Sequence, residues 1–329
     1  MEQVFVGIDI AKETFAVVVR RNGTNGKARI FANTAKGIGG LVQWLPDPAE
    51  EQIHVCLEAT GEYGQEVAEQ LHTQGMQVSV VNPLAVKRYA GSSLVRNQTD
   101  PVDAGILAEF GEYKKPRRWV PPTPAQKALR ALSRRLEDVQ TMQQMERNRL
   151  AASKQLPPVV KDSLQTMIQL LSEQIQTIKT QLRQHIDQDE ELKRQKKLLM
   201  SIKGIGELTA IRFLAELGDL RQFESAKQLA AFLGLTPTWK TSGSSVHSKP
   251  RLSKQGSAEV RQFLYMPAIV AKKYNPIIKA FCARLALARK CDMSIIGAAM
   301  HKLVHLMFGV VHSGMLFDPD YLQKLHVPS

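Results

Sequence analysis

Val4-Phe5-Val6-Gly7-Ile8-Asp9-Ile10 decides the reading of the first hundred residues. The run is short, apolar and rich in β-branched side chains, so it predicts a buried strand that carries one carboxylate, Asp9, to its end. Thr14 to Arg20 predicts a second strand. Asn22-Gly23-Thr24-Asn25-Gly26 predicts a turn, because Asn and Gly tolerate positive φ, and Lys27 to Asn33 alternates as a third strand. A helix is expected over 36–46. Ile53-His54-Val55-Cys56-Leu57-Glu58 is a fourth strand and again ends on a carboxylate. A helix over 62–74 stops at Gly75, a fifth strand runs from Gln77 to Val81, and helices follow near 83–91 and 100–112.

Three strands joined by tight turns form an antiparallel meander, whereas strands alternating with helices need crossovers and pair in parallel. The order βββαβαβα is that of a ribonuclease-H-like α/β fold, whose first and fourth strands lie side by side at the centre. Asp9, Glu58 and a carboxylate of the last helix would then converge. Asp100 and Asp103 stand three apart, which places both on one face of a helix. Pro101 suits a first helical turn, so Asp100 is expected to be its N-cap. Converging carboxylates repel one another. A divalent cation relieves that conflict, and Mg²⁺ prefers such hard oxygen ligands. Two ions can stabilise the attacking and leaving oxygens of a phosphodiester transfer. The bland alternatives are a cap for Asp100 and a turn for Asp9.

Beyond this block, 113–124 (YKKPRRWVPPTP) is Pro-rich and basic and predicts a linker. Leu129, Leu132, Leu136, Val139 and Met142 then follow helical spacing up to Pro157-Pro158. A second long helix carries Leu164, Met167, Leu171, Ile175, Ile178, Leu182 and Ile186. Together they predict an antiparallel helical hairpin or coiled-coil arm whose surface suits pairing between subunits in a homo-oligomer, with a plain two-helix arm as the alternative. From Leu198 onward a mostly helical C-terminal domain is expected. The boundaries read as 1–124, 125–197 and 198–329.

Charge separates these parts. The 329 residues hold 44 Lys and Arg against 31 Asp and Glu, a net +13 that favours a polyanionic partner. Residues 1–86 carry net −4, 87–154 carry +7 and 240–302 carry +10. The acidic part suits a metal site and the basic parts suit nucleic acid. The longest apolar run, Phe263 to Ala271, has nine residues, short of the roughly 18 of a membrane span. The N-terminus lacks the basic start of a secretory signal. Three cysteines without a CxxC pair fit neither a disulfide scaffold nor a zinc site. A cytoplasmic, nucleoid-associated protein of a prokaryote is the expectation.

Lys240, Lys249, Arg251, Lys254 and Arg261 are candidates for phosphate contact, as are Lys272 and Lys273 beside Tyr274. Trp239 adds an aromatic platform. Lys203-Gly204-Ile205-Gly206 resembles the hairpin of a helix-hairpin-helix motif, with Lys203, Gly204 and Gly206 open to a phosphate. His301 and His305, four apart, read as one face of the final helix rather than as metal ligands.

Gly7-Ile8-Asp9-Ile10-Ala11-Lys12, Leu57-Glu58-Ala59-Thr60-Gly61 and Thr99-Asp100-Pro101-Val102-Asp103-Ala104 resemble the motifs of the DEDD transposases of insertion-sequence family one-ten, relatives of the Piv invertase. Their N-terminal domain resembles the RuvC junction resolvase. Gln98 and Pro101 depart from the residues common there. Gly234, Pro237, Ser242-Gly243, Arg251, Ser253-Lys254, Gly256 and Arg261 resemble the family's C-terminal motif. The resemblance implies a Mg²⁺ site at Asp9, Glu58, Asp100 and Asp103, with Mn²⁺ as a substitute. It also implies Ser242 as a nucleophile that links covalently to DNA, and a noncoding bridge RNA that pairs with donor and target DNA. By composition alone Thr241 to Ser245 is a polar loop. Two other readings stay open: a hydrolytic junction nuclease, and a non-catalytic nucleic-acid-binding scaffold.

Overall fold

The computed structural model describes residues 3–59, 61–92, 99–152, 156–238, 241–242, 246–247, 251–256 and 258–320. The side chains of residues 62, 92, 241, 242, 246 and 247 lie outside this description. A mixed α/β N-terminal region precedes a mostly helical C-terminal part. The chain divides into two units, Met1–Pro121 and Pro122–Ser329.

The first unit runs β1 (Gln3–Ile10), β2 (Thr14–Arg21), β3 (Thr24–Asn25), β4 (Arg29–Ala32), α1 (Ala35–Trp44), β5 (Gln52–Glu58), α2 (Gln65–Thr73), β6 (Gln77–Val81), α3 (Pro83–Ser92) and α4 (Asp100–Lys114). Its sheet has the order β3-β2-β1-β5-β6, and β4 also pairs with β2. β1 and β2 are antiparallel, while β1–β5 and β5–β6 are parallel. The expected third strand, 27–33, is β4, and two residues of the expected turn, Thr24 and Asn25, also pair with β2 as β3. Arg20 pairs with Asn25 and Val17 with Arg29, so three steps along β2 answer four on the returning chain. The extra residue is a β-bulge, and Gly26 between β3 and β4 donates its N–H to Val19 O at 2.8 Å.

Alternation along the strands divides the core. Val4, Val6, Ile8 and Ile10 of β1, with Ile53, Val55 and Leu57 of β5, pack with Ile38 and Leu41 of α1 and Val67 and Leu71 of α2. The opposite face receives α4 at backbone contact. A Cβ on Gly7 would fall 1.9 Å from Ala104 O and 2.4 Å from Ala108 N, and one on Gly111 would lie 3.0 Å from Cys56 Sγ. Only glycine at these positions lets the helix lie this close. The segment expected to be a free linker has a structural role. Trp119 N–H donates to Val78 O at 2.7 Å, and Ser79 Oγ donates to Pro116 O at 3.1 Å, so this chain covers the open edge of β6.

The second unit contains α5 (Pro124–Ala152), α6 (Pro158–Asp187), α7 (Glu190–Met200), α8 (Glu207–Leu217) and α9 (Ala226–Phe232). Four two-residue strands follow: β7 (Pro237–Thr238), β8 (Thr241–Ser242), β9 (Val246–His247) and β10 (Arg251–Leu252). The unit closes with α10 (Ala258–Tyr274), α11 (Pro276–Leu287) and α12 (Asp292–Ser313). Helix α6 returns alongside α5, and Gln143 Nε2 donates to Ile168 O and Ser172 Oγ across the pair. Leu129, Leu136, Ile178, Leu182 and Ile186 at the root of these helices share one apolar core with Phe213, Leu214, Leu264, Leu303 and Val304. Farther out, Met142, Met145, Met167 and Leu170 are exposed. Helix α12 is apolar enough by composition to cross a bilayer, with a mean hydropathy of 1.5, but half of that window is buried in this core.

Candidate active site and nucleic-acid interface

The parallel register places the first two carboxylates together. Ile8 pairs with Leu57, so Asp9 and Glu58 are the next residues of adjacent strands. By alternation they lie on the face of Gly7 and Cys56, which is the face that α4 covers. The Gly7 contact with Ala104 brings the first turn of α4, with Asp100 and Asp103, to that same end of the sheet. Asp100 is not the N-cap expected from the sequence. Thr99 has the extended cap conformation, and its carbonyl accepts from Val102 and Asp103 N–H at 2.8 and 2.9 Å. Pro101 fits one position later than a cap at Asp100 would require, and the Asp100 carboxylate is not used as a cap.

The acids act on one another. Burial, then Asp100 and Asp103, push Asp9 up from 3.8 to about 6. Burial, then Asp9 and Asp103, raise Glu58. Burial and Asp100 raise Asp103. Among the described residues none of the four enters an ion pair with a basic side chain. An all-oxygen, uncompensated donor set suits a hard divalent cation. Among the described residues no three acidic, His or Cys side chains are drawn close enough to enclose an ion. The site is a gathered set of acids rather than a closed cage.

One polar residue joins the loops that carry these acids. Asn33 Nδ2 donates to Ala11 O at 3.1 Å and to Tyr63 O at 3.2 Å. Its own N–H donates to Glu13 O at 2.8 Å. From sequence Asn33 was only the end of a strand, since neither partner lies near it in the chain.

In the second unit β8 and β9 form an antiparallel ladder, Thr241 with His247 and Ser242 with Val246. Ser242 therefore ends β8 at the last paired position. β7 and β10 pair likewise, Thr238 with Arg251 and Pro237 with Leu252. Trp239, Lys240 and Lys249 lie outside the described residues. Arg251 is exposed, and Lys254 takes a left-handed backbone with φ 55°. The guanidinium of Arg261 is turned inward: Nη1 donates to Gly256 O at 2.8 Å and Leu233 O at 3.1 Å, and burial lowers its pKa. It clamps the chain crossing where a Cβ on Gly256 would lie 2.1 Å from Phe232 O.

Two segments that are distant in sequence and carry basic residues meet through their backbones. Gly204, with φ +113°, lies against Ala271 of α10, and Asn275 Nδ2 donates to Lys203 O at 3.3 Å. Lys203 and Gly206 are exposed, and Gly206 caps α8 without a side-chain bond. The hairpin thus sits beside the C-terminal end of α10. There Lys273 Nζ lies 5.1 Å from the Tyr274 ring centroid, and Lys272 Nζ is 3.8 Å from Asp292. The rings of His301 and His305 are tilted by 39° with centroids 4.4 Å apart, and burial pushes His301 down to about 4.

A DEDD model described as "Transposase" matches residues 6–156, which include all four acids, and "Transposase IS116/IS110/IS902 family" matches residues 196–283, which include Ser242. The pilin gene-inverting protein of Moraxella bovis is 33% identical over 97% of this chain and 98% of its own length. The chain belongs to the IS116/IS110/IS902 transposase family. By that membership it is a DNA transposase/recombinase. The family's reach is wide: the transposase for insertion sequence element IS1328 of Yersinia enterocolitica is 27% identical over 95% of this chain and 98% of its own. The pilin gene-inverting protein of Moraxella lacunata matches at 33% over 97% and 98%.

Proposed function

We propose that this chain cleaves and rejoins DNA through a divalent-cation site at Asp9, Glu58, Asp100 and Asp103 and a serine nucleophile at Ser242. On this reading residues 1–124 are a ribonuclease-H-like catalytic domain, 125–197 a coiled-coil arm and 198–329 the domain that carries the serine. The observation that supports it best is the register that makes Asp9 and Glu58 neighbours under the first turn of α4. Mg²⁺, as one or two ions, would supply Lewis-acid charge to the scissile phosphate when bound there. Asp9, with a pKa of about 6, is ready to lose its proton on meeting a cation.

Ser242 Oγ attacks phosphorus and gives up its proton. The P–O bond to one DNA strand breaks, and that strand leaves as a hydroxyl. Attack by another strand's hydroxyl on the phosphoserine reverses these changes and frees the serine. Bond energy is conserved, so rejoining needs no ATP. The Lys203 hairpin and the end of α10 hold phosphates. The +7 and +10 blocks are compatible with donor DNA, target DNA and a bridge RNA. The exposed Met142, Met145, Met167 and Leu170 support pairing of arms in a dimer or tetramer. The protein acts in the cytoplasm at the nucleoid.

The test uses DNA cleavage in Mg²⁺ followed by a denaturing gel. Wild type is expected to leave a protein–DNA adduct. Ser242→Ala is expected to bind DNA but give neither adduct nor strand exchange, and Glu58→Gln to bind without cleaving. Full recombination by Ser242→Ala would refute the serine step. Cleavage by that variant without an adduct would favour the hydrolytic nuclease instead.

A further inference from the structure

The geometry points to Asn33 as a positioning residue that sets the separation of Asp9 and Glu58. Asp9 and Glu58 stand at the ends of β1 and β5, where the ladder between those strands stops at Ile8 and Leu57. Among the described residues no ladder bond beyond that point fixes one chain against the other. The next tie between them is the Asn33 amide, whose two N–H groups reach Ala11 O, two residues past Asp9, and Tyr63 O, five past Glu58. Both partners are carbonyl oxygens, so the amide nitrogen must face them. Asn33 is itself anchored through its N–H to Glu13 O, and Thr34 next to it caps α1 by accepting from Gly37 N–H at 3.2 Å. The side chain thus spans from a fixed helix start to both acid-bearing loops. With the tie gone, Asp9 is still held against Ala16 of β2 and Glu58 against Val81 of β6, but repulsion between the two carboxylates no longer meets the amide that joins their two loops to each other.

This inference rests on the cation site proposed above. The test is Mn²⁺ binding to the full-length protein, without DNA, followed by the loss of the free-ion electron paramagnetic resonance signal, with melting in EDTA measured alongside. The variants are Asn33→Ala, Asn33→Asp and, as control, Glu58→Gln. Asn33→Asp keeps the shape but adds a negative charge that by itself would strengthen cation binding, so weakening there reports the lost tie. Both Asn33 variants are expected to bind Mn²⁺ about tenfold more weakly, the lower end of what lost support around a metal site costs, while still melting cooperatively. Wild-type affinity in folded Asn33→Ala, with Glu58→Gln weakened, would overturn the role of Asn33 alone and leave it merely structural. Unchanged affinity in Glu58→Gln would overturn the cation site and this inference with it.

Discussion

Neutralising Asp9 should stabilise the protein while abolishing its chemistry. A carboxyl whose pKa is raised on folding binds its proton more tightly in the folded chain. Its contribution to stability is therefore greatest below the unfolded value and falls as pH rises through the folded one. For Asp9 the window runs from 3.8 to about 6. At about 1.36 kcal/mol per pH unit this sets an upper bound of about 3 kcal/mol. Asp9 is only half-buried, and solvent screening reduces the figure to roughly 1–2 kcal/mol. Asp9→Asn removes the penalty. The assay is urea unfolding in EDTA at pH 8 and pH 3.5. Trp44 and Trp119, both packed on the first unit's core, serve as the fluorescent reporters. At pH 8 the variant should unfold at higher urea than wild type, and at pH 3.5 the difference should vanish. Mg²⁺ at pH 8 should raise the wild-type midpoint and move the variant far less. A variant no more stable than wild type at pH 8 without metal would refute the electrostatic reasoning.

Gly7→Ala would force a Cβ to within 1.9 Å of Ala104 O. It should destabilise the first unit by at least the upper end of the overpacking range, about 3 kcal/mol, read as a lower urea midpoint, and a wild-type midpoint would count against the close seating of α4. Replacing Lys203 and Lys273 by Ala should weaken DNA binding alike for all sequences. It should also flatten the log-affinity against log-salt slope by about 1.8, at about 0.9 per phosphate contact. An unchanged slope would remove these lysines from the interface.

The sequence made the acid pair legible for a definite reason. Strand ends are readable where an apolar run stops, and a parallel crossover fixes which ends are neighbours, so Asp9 beside Glu58 needed no tertiary detail. The N-cap at Thr99 was harder, because Pro101 is compatible with a cap one residue either way, and only the carbonyl bonds to Val102 and Asp103 decide it. The pairing of Thr24 and Asn25 with β2, and the bulge beside Gly26, were hidden because Asn22 to Gly26 reads as a turn throughout and two residues are too few to show alternation. Arg261 looked like any phosphate-binding arginine, and its inward turn depends on two carbonyls, Leu233 O and Gly256 O, that chain crossing brings together. The Lys203 hairpin against Ala271 is likewise a contact between residues 67 positions apart, which no local pattern encodes.

The root of the α5–α6 arm gives the second unit a mechanical character. Leu129, Leu136, Leu182 and Ile186 are embedded in the same close-packed interior as Ile295 and Leu303 of α12. On α12, Gly297 leaves room for Leu252 of β10, whose Cδ1 would lie 3.1 Å from a Cβ there. Protein interiors are dense and yield little to compression. The root of the two long helices and the base of β10 are thus seated in one close-packed interior, and a change of side-chain volume at either is expected to strain the other.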